Sequence, residues 1–390
     1  MNFSLNENVL YVLNTLHSAG FESYIVGGCV RDILLGFSPS DFDITTSAKP
    51  QEVKKLFGNV VETGLKHGTV TVILDGEPFE VTTFRTEGAY TDSRRPDSVN
   101  FVSDVNLDLA RRDFTVNAMC YSDQSGLIDC FGGQEDIQNK ILRAVGNPEA
   151  RFQEDALRIL RLFRFAATLD FNIEKATFDA AIKCAPKLQN VSAERVAVEL
   201  KKAVMGKNPT VLSALLETGA LENLGIKNAD LSAIAKLSDN SCLRLFALLH
   251  LSGNSAQASA KNLKLSNDFC KYCSYMENIM STDFADDISF TLKGFLDRFG
   301  REILLDGLEF TEVLKNTNCK LQREEIERII KYNEPYKISH LDISGDDLLE
   351  ISIKGNDIGR VLNLLIDKVK RDPALNQKQK LLKIAEQNRN

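Results

Sequence analysis

No run of this chain approaches the roughly 20 consecutive apolar residues that span a bilayer. The opening segment, MNFSLNENVLYVLNTL, has no basic stretch ahead of an apolar one. With neither a spanning segment nor the pattern of a secretory signal, the protein is expected to be cytoplasmic, with no membrane partner. There are only 4 histidines and no His-Asp pair of the metal-phosphohydrolase kind, so a second, hydrolytic activity is not expected. One Cys-x-x-Cys occurs, Cys270 to Cys273, with no second pair near it and His250 as the nearest histidine. A structural zinc needs four ligands, so these two read as core residues one helical turn apart. The 8 scattered cysteines suit a reducing compartment. No internal repeat and no low-complexity tract is present.

What is present is the composition of a globular protein, 43% hydrophobic and 26% charged over 390 residues, enough for about two to four compact units. The net charge of −7 argues against a chain that coats nucleic acid indiscriminately. It leaves a local basic groove open, because the field at the contact decides binding.

Residues 1–140 mix short β-branched runs (SYIVGG, DFDITT, TVTVIL, FEVTTF) with helical patterns stopped by Gly20 and Gly36. From about residue 147 the period becomes helical. NPEARFQEDALRILRLFRFAATL reads as one helix, and polar breaks fall at 205–210, 251–259 and 333–339. The fold class is therefore α+β, an N-terminal α/β domain followed by a long all-α region. The expected segments are 1–140, 141–205, 206–285 and 286–390.

The sharpest chemical signal is Asp41-Phe-Asp43. On a strand, residues two apart face the same way, so both carboxylates converge. Their repulsion is relieved by a cation, and oxygen ligands with open positions suit Mg²⁺ sharing its shell with phosphate. Upstream, SYIVGGCVRDILLG places Gly27 and Gly28 at a strand-to-helix turn, where backbone N–H groups can approach a phosphate. Arg31 in the first helical turn can add a guanidinium.

These residues resemble motif A of the polymerase-β-like nucleotidyltransferases, in the form found in bacterial-type (class II) tRNA nucleotidyltransferases. The resemblance continues in order: Gly64 to Val70 (GLKHGTV), Arg111 to Ala118 (RRDFTVNA), Glu154 to Arg161 (EDALRILR) and Glu194 to Glu199 (ERVAVE). It covers about residues 20–205. It implies template-independent addition of C, C and A to the tRNA 3′ end from CTP and ATP with Mg²⁺. It also implies metal ligation by Asp41 and Asp43, and nucleotide contacts from Gly28, Arg31, Arg112 and Asp113. Base selection falls to Asp155 and Arg158. A third superfamily carboxylate maps best to Glu80, although a solvent-facing strand glutamate reads the same way. Class II enzymes that add only CC tend to lack a loop like the polar stretch 85–100, so its presence favours the complete reaction.

The base-selecting assignment also follows from chemistry. Asp155 and Arg158, three apart on a helix, share a face. A carboxylate only accepts hydrogen bonds and a guanidinium only donates them. Cytosine and adenine both present an amine beside a ring nitrogen, whereas uracil and guanine present the reverse order. Arg161 and Arg164 extend a basic stripe that reads either as a solvated helix face or as neutralisation of triphosphate and primer. Near the C-terminus, Arg360, Lys368, Lys370 and Arg371 form a basic patch, either a solvated face or a grip on RNA phosphates.

Other readings remain open: an A-adding partner enzyme, a poly(A) polymerase, a DxD glycosyltransferase or a non-catalytic RNA-binding module. Poly(A) polymerases typically carry a GRRFxLxHV-like segment where this chain has GLKHGTVTVIL. A glycosyltransferase leaves RRDFTVNA and EDALRILR unexplained. The oligomeric state is left open by the sequence.

Overall fold

The computed structural model describes residue 3 and residues 5–88, 98–253, 255–282, 284 and 287–388. It divides into two compact units, the first essentially residues 1–235 and the second essentially 236–390, with short exchanges between 250 and 265.

In the first unit, helix α1 (Glu7–Ser18) starts where the Asn6 side chain accepts the Val9 N–H, and it buries Val9, Val12, Leu13 and Leu16. That spacing is one face of a helix. Strand β1 (Ser23–Val26) is wholly buried, and helix α2 (Gly28–Leu34) follows after a single residue. Gly27 at that turn has φ +83°, and a Cβ there would lie 2.9 Å from Arg112 Nη1. Both facts demand glycine. Strand β2 (Asp43–Thr46) returns beside β1, and α3 (Pro50–Leu56) leads to β3 (Val60–Gly64), β4 (Thr69–Leu74) and β5 (Glu77–Thr83).

A small hairpin of β6 (Arg85–Glu87) and β7 (Val99–Phe101) precedes α4 (Val105–Ala110), β8 (Cys120–Ser122), β9 (Gly126–Ile128) and α5 (Gly133–Gln138). Seven strands form one sheet in the order β3-β4-β5-β2-β1-β8-β9. In it β2 and β5 run parallel, with Asp43 opposite Glu80. The ends of the polar 85–100 stretch are thus paired strands rather than loop; residues 89–97 lie outside the described residues.

The helical part of this unit holds α6 (Pro148–Glu154), α7 (Leu157–Leu169), α8 (Lys175–Cys184), α9 (Ala193–Val204) and α10 (Leu212–Leu216), with the short parallel pair β10 (Ile141–Leu142) and β11 (Asn172–Ile173). The single helix read over 147–169 is therefore two. Asp155 is extended (φ −136°, ψ 107°), and its side chain accepts the Leu157 N–H at 2.9 Å. A short acceptor side chain competes with the helix for backbone donors, and here it wins.

The second unit is helical: α11 (Ser241–Ser252), α12 (Ala256–Asn262), α13 (Asn267–Ser281), α14 (Ile288–Arg298), α15 (Arg301–Lys315), α16 (Lys320–Lys331), α17 (Gly345–Glu350), α18 (Asn356–Arg371) and α19 (Lys378–Gln387). Cys270 and Cys273 are buried on α13. One core cluster gathers residues of α13 to α16, and a second gathers Leu341, Leu348, Val361, Leu365, Val369 and Leu381. The basic patch read on the tail needs correction here. Lys370 is buried, with Nζ 3.2 Å from Asp297 Oδ2. Arg371 pairs with Asp287 at 3.2 Å and lies 4.0 Å from the Phe290 ring centre, and Arg360 pairs with Asp357. Most of that positive charge is already compensated by its neighbours. No helix among the described residues is long and apolar enough to cross a membrane.

Candidate active site

The centre of the sheet opens into a cavity of about 350 Å³ whose lining includes Gly27, Gly28, Arg31, Asp41, Asp43 and Arg112. Only Asp43 stands on β2; Asp41 lies in the loop entering it. The strand argument for the pair thus holds for one residue, yet both carboxylates reach the same cavity. Asp41 accepts from Ser40 Oγ at 2.6 Å. Asp41 and Asp43 are both exposed and both line the cavity. The enclosing protein still raises the Asp43 carboxyl, by desolvation first, with Arg112 opposing and with Glu80 and Asp41 adding repulsion.

Such a pair fits a divalent cation, because positive charge between the two carboxylates removes the repulsion. No group of three or more His, Cys, Asp or Glu side chains is placed to hold a metal among the described residues. Glu80, opposite Asp43 on β5, adds negative field to it. A cation here would draw the rest of its shell from phosphate and water, as Mg²⁺ commonly does.

Opposite the carboxylates stand guanidinium groups held by a buried network. Arg31 Nη1 donates to Asn117 Oδ1 at 2.6 Å, and its Nε and Nη2 donate to Asp32. Asn117 Nδ2 donates to Asp113 Oδ1 at 3.3 Å, and Arg161 donates to Asp113 Oδ2 through Nε at 2.7 Å. Burial would raise the Asp113 carboxyl, but Arg161, then Arg158 and the Asn117 amide, outweigh it and hold it at about 2. Arg164 pairs with Glu199 at 2.9 Å. Three guanidinium groups surround the Phe165 ring: Arg164 at 3.9 Å, Arg31 at 5.2 Å and Arg161 at 5.4 Å from its centre. The quadrupole of the ring face attracts all three, so Phe165 gathers the cations that repel one another.

A second cavity, of about 280 Å³, shares Arg112, Asp113 and Arg161 with the first and adds Arg111, Asp155, Arg158 and Arg195. Asp155 and Arg158 thus line one pocket from either side of the α6–α7 break, although they do not share a helix face. Asp155 Oδ2 accepts from Arg195 Nη2 at 2.9 Å. Arg158 is 8% exposed and donates to the carbonyls of Arg151 (3.2 Å) and Arg111 (3.1 Å) and to Glu154.

Sequence reasoning missed Phe165, Asn117, Lys202 and Asp108 as members of the site. Asp108 is fully buried, and its carboxylate is held below the usual range because Arg111 and Arg112 outweigh the cost of burial. The signal for Phe165 was available: an aromatic next to the third arginine of a three-residue series on an otherwise apolar helix.

Residues 23–143 match the family described as the poly A polymerase head domain, and residues 170–227 match one described as a probable RNA and SrmB-binding site of polymerase A. The CCA-adding enzyme of Lactococcus lactis is 37% identical over 94% of this chain and 93% of its own length. That of Ligilactobacillus salivarius is 36% identical over 97% and 96%. A crystal structure of the Bacillus stearothermophilus CCA-adding enzyme in complex with CTP is similar with a TM-score of 0.84 and 30% identity, over 98% of this chain and 97% of that one. With identities of this size over nearly the full length of both partners, the chain belongs to the CCA-adding enzymes, a family of tRNA nucleotidyltransferases.

Proposed function

We propose that the protein adds C, C and A in turn to the 3′ end of tRNA, taking each nucleotide from CTP or ATP without a nucleic-acid template. One observation carries the reading: the cavity of Asp41 and Asp43 adjoins the cavity of Asp155 and Arg158, and the two share walls at Arg112, Asp113 and Arg161. A nucleotide lying across that boundary has its phosphates beside the carboxylates and its base beside the acceptor–donor pair.

The RNA 3′-oxygen forms a bond to the α-phosphorus, the bond from that phosphorus to the bridging oxygen breaks, and pyrophosphate leaves. Asp41 and Asp43 would hold Mg²⁺, which supplies charge neutralisation at the α-phosphate and favours the ionised 3′-hydroxyl. Glu80 adds to the negative field behind Asp43. Gly28 lets the strand-to-helix turn approach the phosphates closely, and Arg31, Arg161 and Arg164 stabilise their charge. Arg112 and Asp113 face the sugar between the two cavities. Asp155 accepts from the exocyclic amine of cytosine or adenine while Arg158 donates to the adjacent ring nitrogen. The reverse edge of uracil or guanine sets an acceptor against Asp155 and a donor against Arg158, at a cost of about 1–3 kcal/mol for each mismatched contact. Residues 1–140 thus act as catalytic head, 141–205 choose the base, and 206–285 and 286–390 carry the body and tail that hold tRNA. The reaction belongs to the cytoplasm, where tRNA matures.

The test uses tRNAs lacking CCA, lacking CA and lacking only A, each incubated with one NTP at a time and Mg²⁺. Incorporation of C, C and A in that order is expected. Addition of A alone would make the protein an A-adding partner enzyme, and runs of A would make it a poly(A) polymerase.

A further inference from the structure

The arginines that line the two cavities are charge-compensated. Arg31 pairs with Asp32, Arg112 with Asp108, Arg158 with Glu154, Arg161 with Asp113, Arg164 with Glu199 and Arg195 with Asp155. Lysines at the rim are not. Lys201 and Lys202 on α9 and Lys207 in the turn after it are exposed, and none makes an ion pair among the described residues.

Their placement is directional. On the solvent face of α9, Arg195 lines the base cavity, Val198 is 52% exposed, and Lys202 lines the phosphate cavity. Beyond the helix end, Lys207 Nζ lies 5.9 Å from the centre of the Phe37 ring. Phe37 is 55% exposed. It sits in the loop from α2 to Asp41, anchored by its N–H to the carbonyl of Asp32, a residue of the cavity wall, at 2.8 Å. Two segments that flank the cavity therefore meet at an aromatic ring held in solvent beside the uncompensated Lys207 ammonium. Exposed rings interleaved with cations are what single-stranded nucleic acid requires: every base has a face to stack, and every phosphate a charge to neutralise.

We propose that this rim is the track of the unpaired 3′ strand of the RNA substrate, with Phe37 stacking on a base upstream of the attacking nucleotide and Lys201 and Lys207 contacting its phosphates. The proposal rests on the nucleotidyltransferase reading and assigns its RNA-strand site.

The experiment uses the full chain and an RNA minihelix that ends before CCA, carrying 2-aminopurine as its last unpaired base. Stacking quenches that fluorophore. Wild type is expected to quench it, and Phe37→Ala to abolish the quenching and raise the KM for RNA by about tenfold, within the range of one base–aromatic stack. The KM for CTP should stay unchanged. Phe37→Trp should restore both RNA readouts, which a merely structural role would not predict. The double variant Lys201→Gln/Lys207→Gln should make the dependence of log affinity on log salt shallower by about 1.4, near 0.7 per phosphate on a single strand. Quenching and RNA KM unchanged in Phe37→Ala, or an unchanged salt slope in the lysine pair, overturns the track. Quenching that depends on Phe37 without any nucleotide addition by wild type would keep the track and sink the reaction. Addition without dependence on Phe37 would do the opposite.

Discussion

Arg195 on α9 holds the Asp155 carboxylate at 2.9 Å, so one of the two groups assigned to the base edge is positioned by a residue 40 positions away. One Asp155 oxygen is taken by Arg195 and the other by the Leu157 N–H, which fixes the direction in which the remaining lone pairs point. Arg195→Ala should therefore relax discrimination against UTP and GTP about as much as Asp155→Ala does. The double variant should be little worse than either single one, because the two residues act as a unit. Competition between NTPs on a tRNA lacking CCA measures this. Fully additive losses would show that Arg195 acts elsewhere.

Arg158→Ala should be the more damaging change. Its guanidinium serves the pocket and also satisfies the carbonyls of Arg111 and Arg151. Removing a buried donor set of this kind costs about 1–3 kcal/mol per stranded group. A lowered unfolding midpoint should accompany relaxed base choice in Arg158→Ala, whereas Asp155→Ala should alter base choice with a smaller stability loss. Equal midpoints for the two variants would contradict the assignment of Arg158 as a structural as well as a reading residue.

Asp113 links stability to pH. Its carboxyl lies at about 2 in the folded protein, below the ordinary 3.8, so the ionised form is favoured by folding. That contribution is fully present above pH 4 and is lost as the pH falls from there toward 2. A shift of this size corresponds to roughly 2 kcal/mol. Asp113→Asn should be destabilised by about that amount at pH 6, and the gap to wild type should close only as the pH approaches 2. Urea unfolding at the two pH values checks it, and a gap independent of pH would show that the Arg161 charge is not the cause.

Asp43 carries the opposite sign. Its raised carboxyl means that the ionised form costs stability at neutral pH, a cost absent once the pH drops below the ordinary carboxylate value. In the presence of a chelator, Asp43→Asn should therefore melt higher than wild type at pH 7, and Mg²⁺ should raise the midpoint of wild type only. Both Asp41→Ala and Asp43→Ala should lower incorporation by roughly a thousandfold or more, as expected when several kcal/mol of charge stabilisation are lost, while RNA binding persists. Retained turnover in either variant would remove the carboxylate pair from the mechanism.

The parts of this architecture legible in the sequence are those set by local rules. Strands β1, β2, β4 and β5 follow from β-branched runs, and the turn at Gly27 follows from a double glycine between a strand and a helix. Strands β3, β8 and β9 lie toward the two edges of the sheet, where distant pairing supplies what local pattern does not. The break at Asp155 was hidden because apolar spacing continues across it; only the capping habit of aspartate hinted at it. Ion pairs such as Arg164–Glu199 join separate helices, and no periodicity announces them. Lys370 was more avoidable. Ile366 and Val369 are buried on α18, and residue 370 lies four past the first of them, at the edge of the same stripe.

The burial of Lys370 changes what deletion of the tail should do. If residues 341–390 were a detachable grip, cutting after residue 340 would cost RNA affinity alone. Lys293 on α14 is only 1% exposed, and its Nζ lies 2.8 Å from both Glu334 Oε2 and the Lys370 carbonyl oxygen. The cut removes that carbonyl, the Lys370–Asp297 pair and the apolar surface of α18. It leaves a buried ammonium with fewer partners, and breaking one side of such a buried pair costs about 3–5 kcal/mol. The truncated chain should therefore show a separate, lower-temperature unfolding step for the second unit, and Lys293→Met in the full chain should shift that step in the same direction. Minihelix extension should survive both changes at temperatures below this step, because both cavities lie within the first unit. Calorimetry on the three proteins decides the point. An unchanged melting profile after truncation would restore the detachable tail, and loss of minihelix extension below the first transition would show that the second unit helps to shape the site. The RNA grip itself is better probed at Lys368, which is exposed: Lys368→Gln tests a phosphate contact without dismantling the core beneath it.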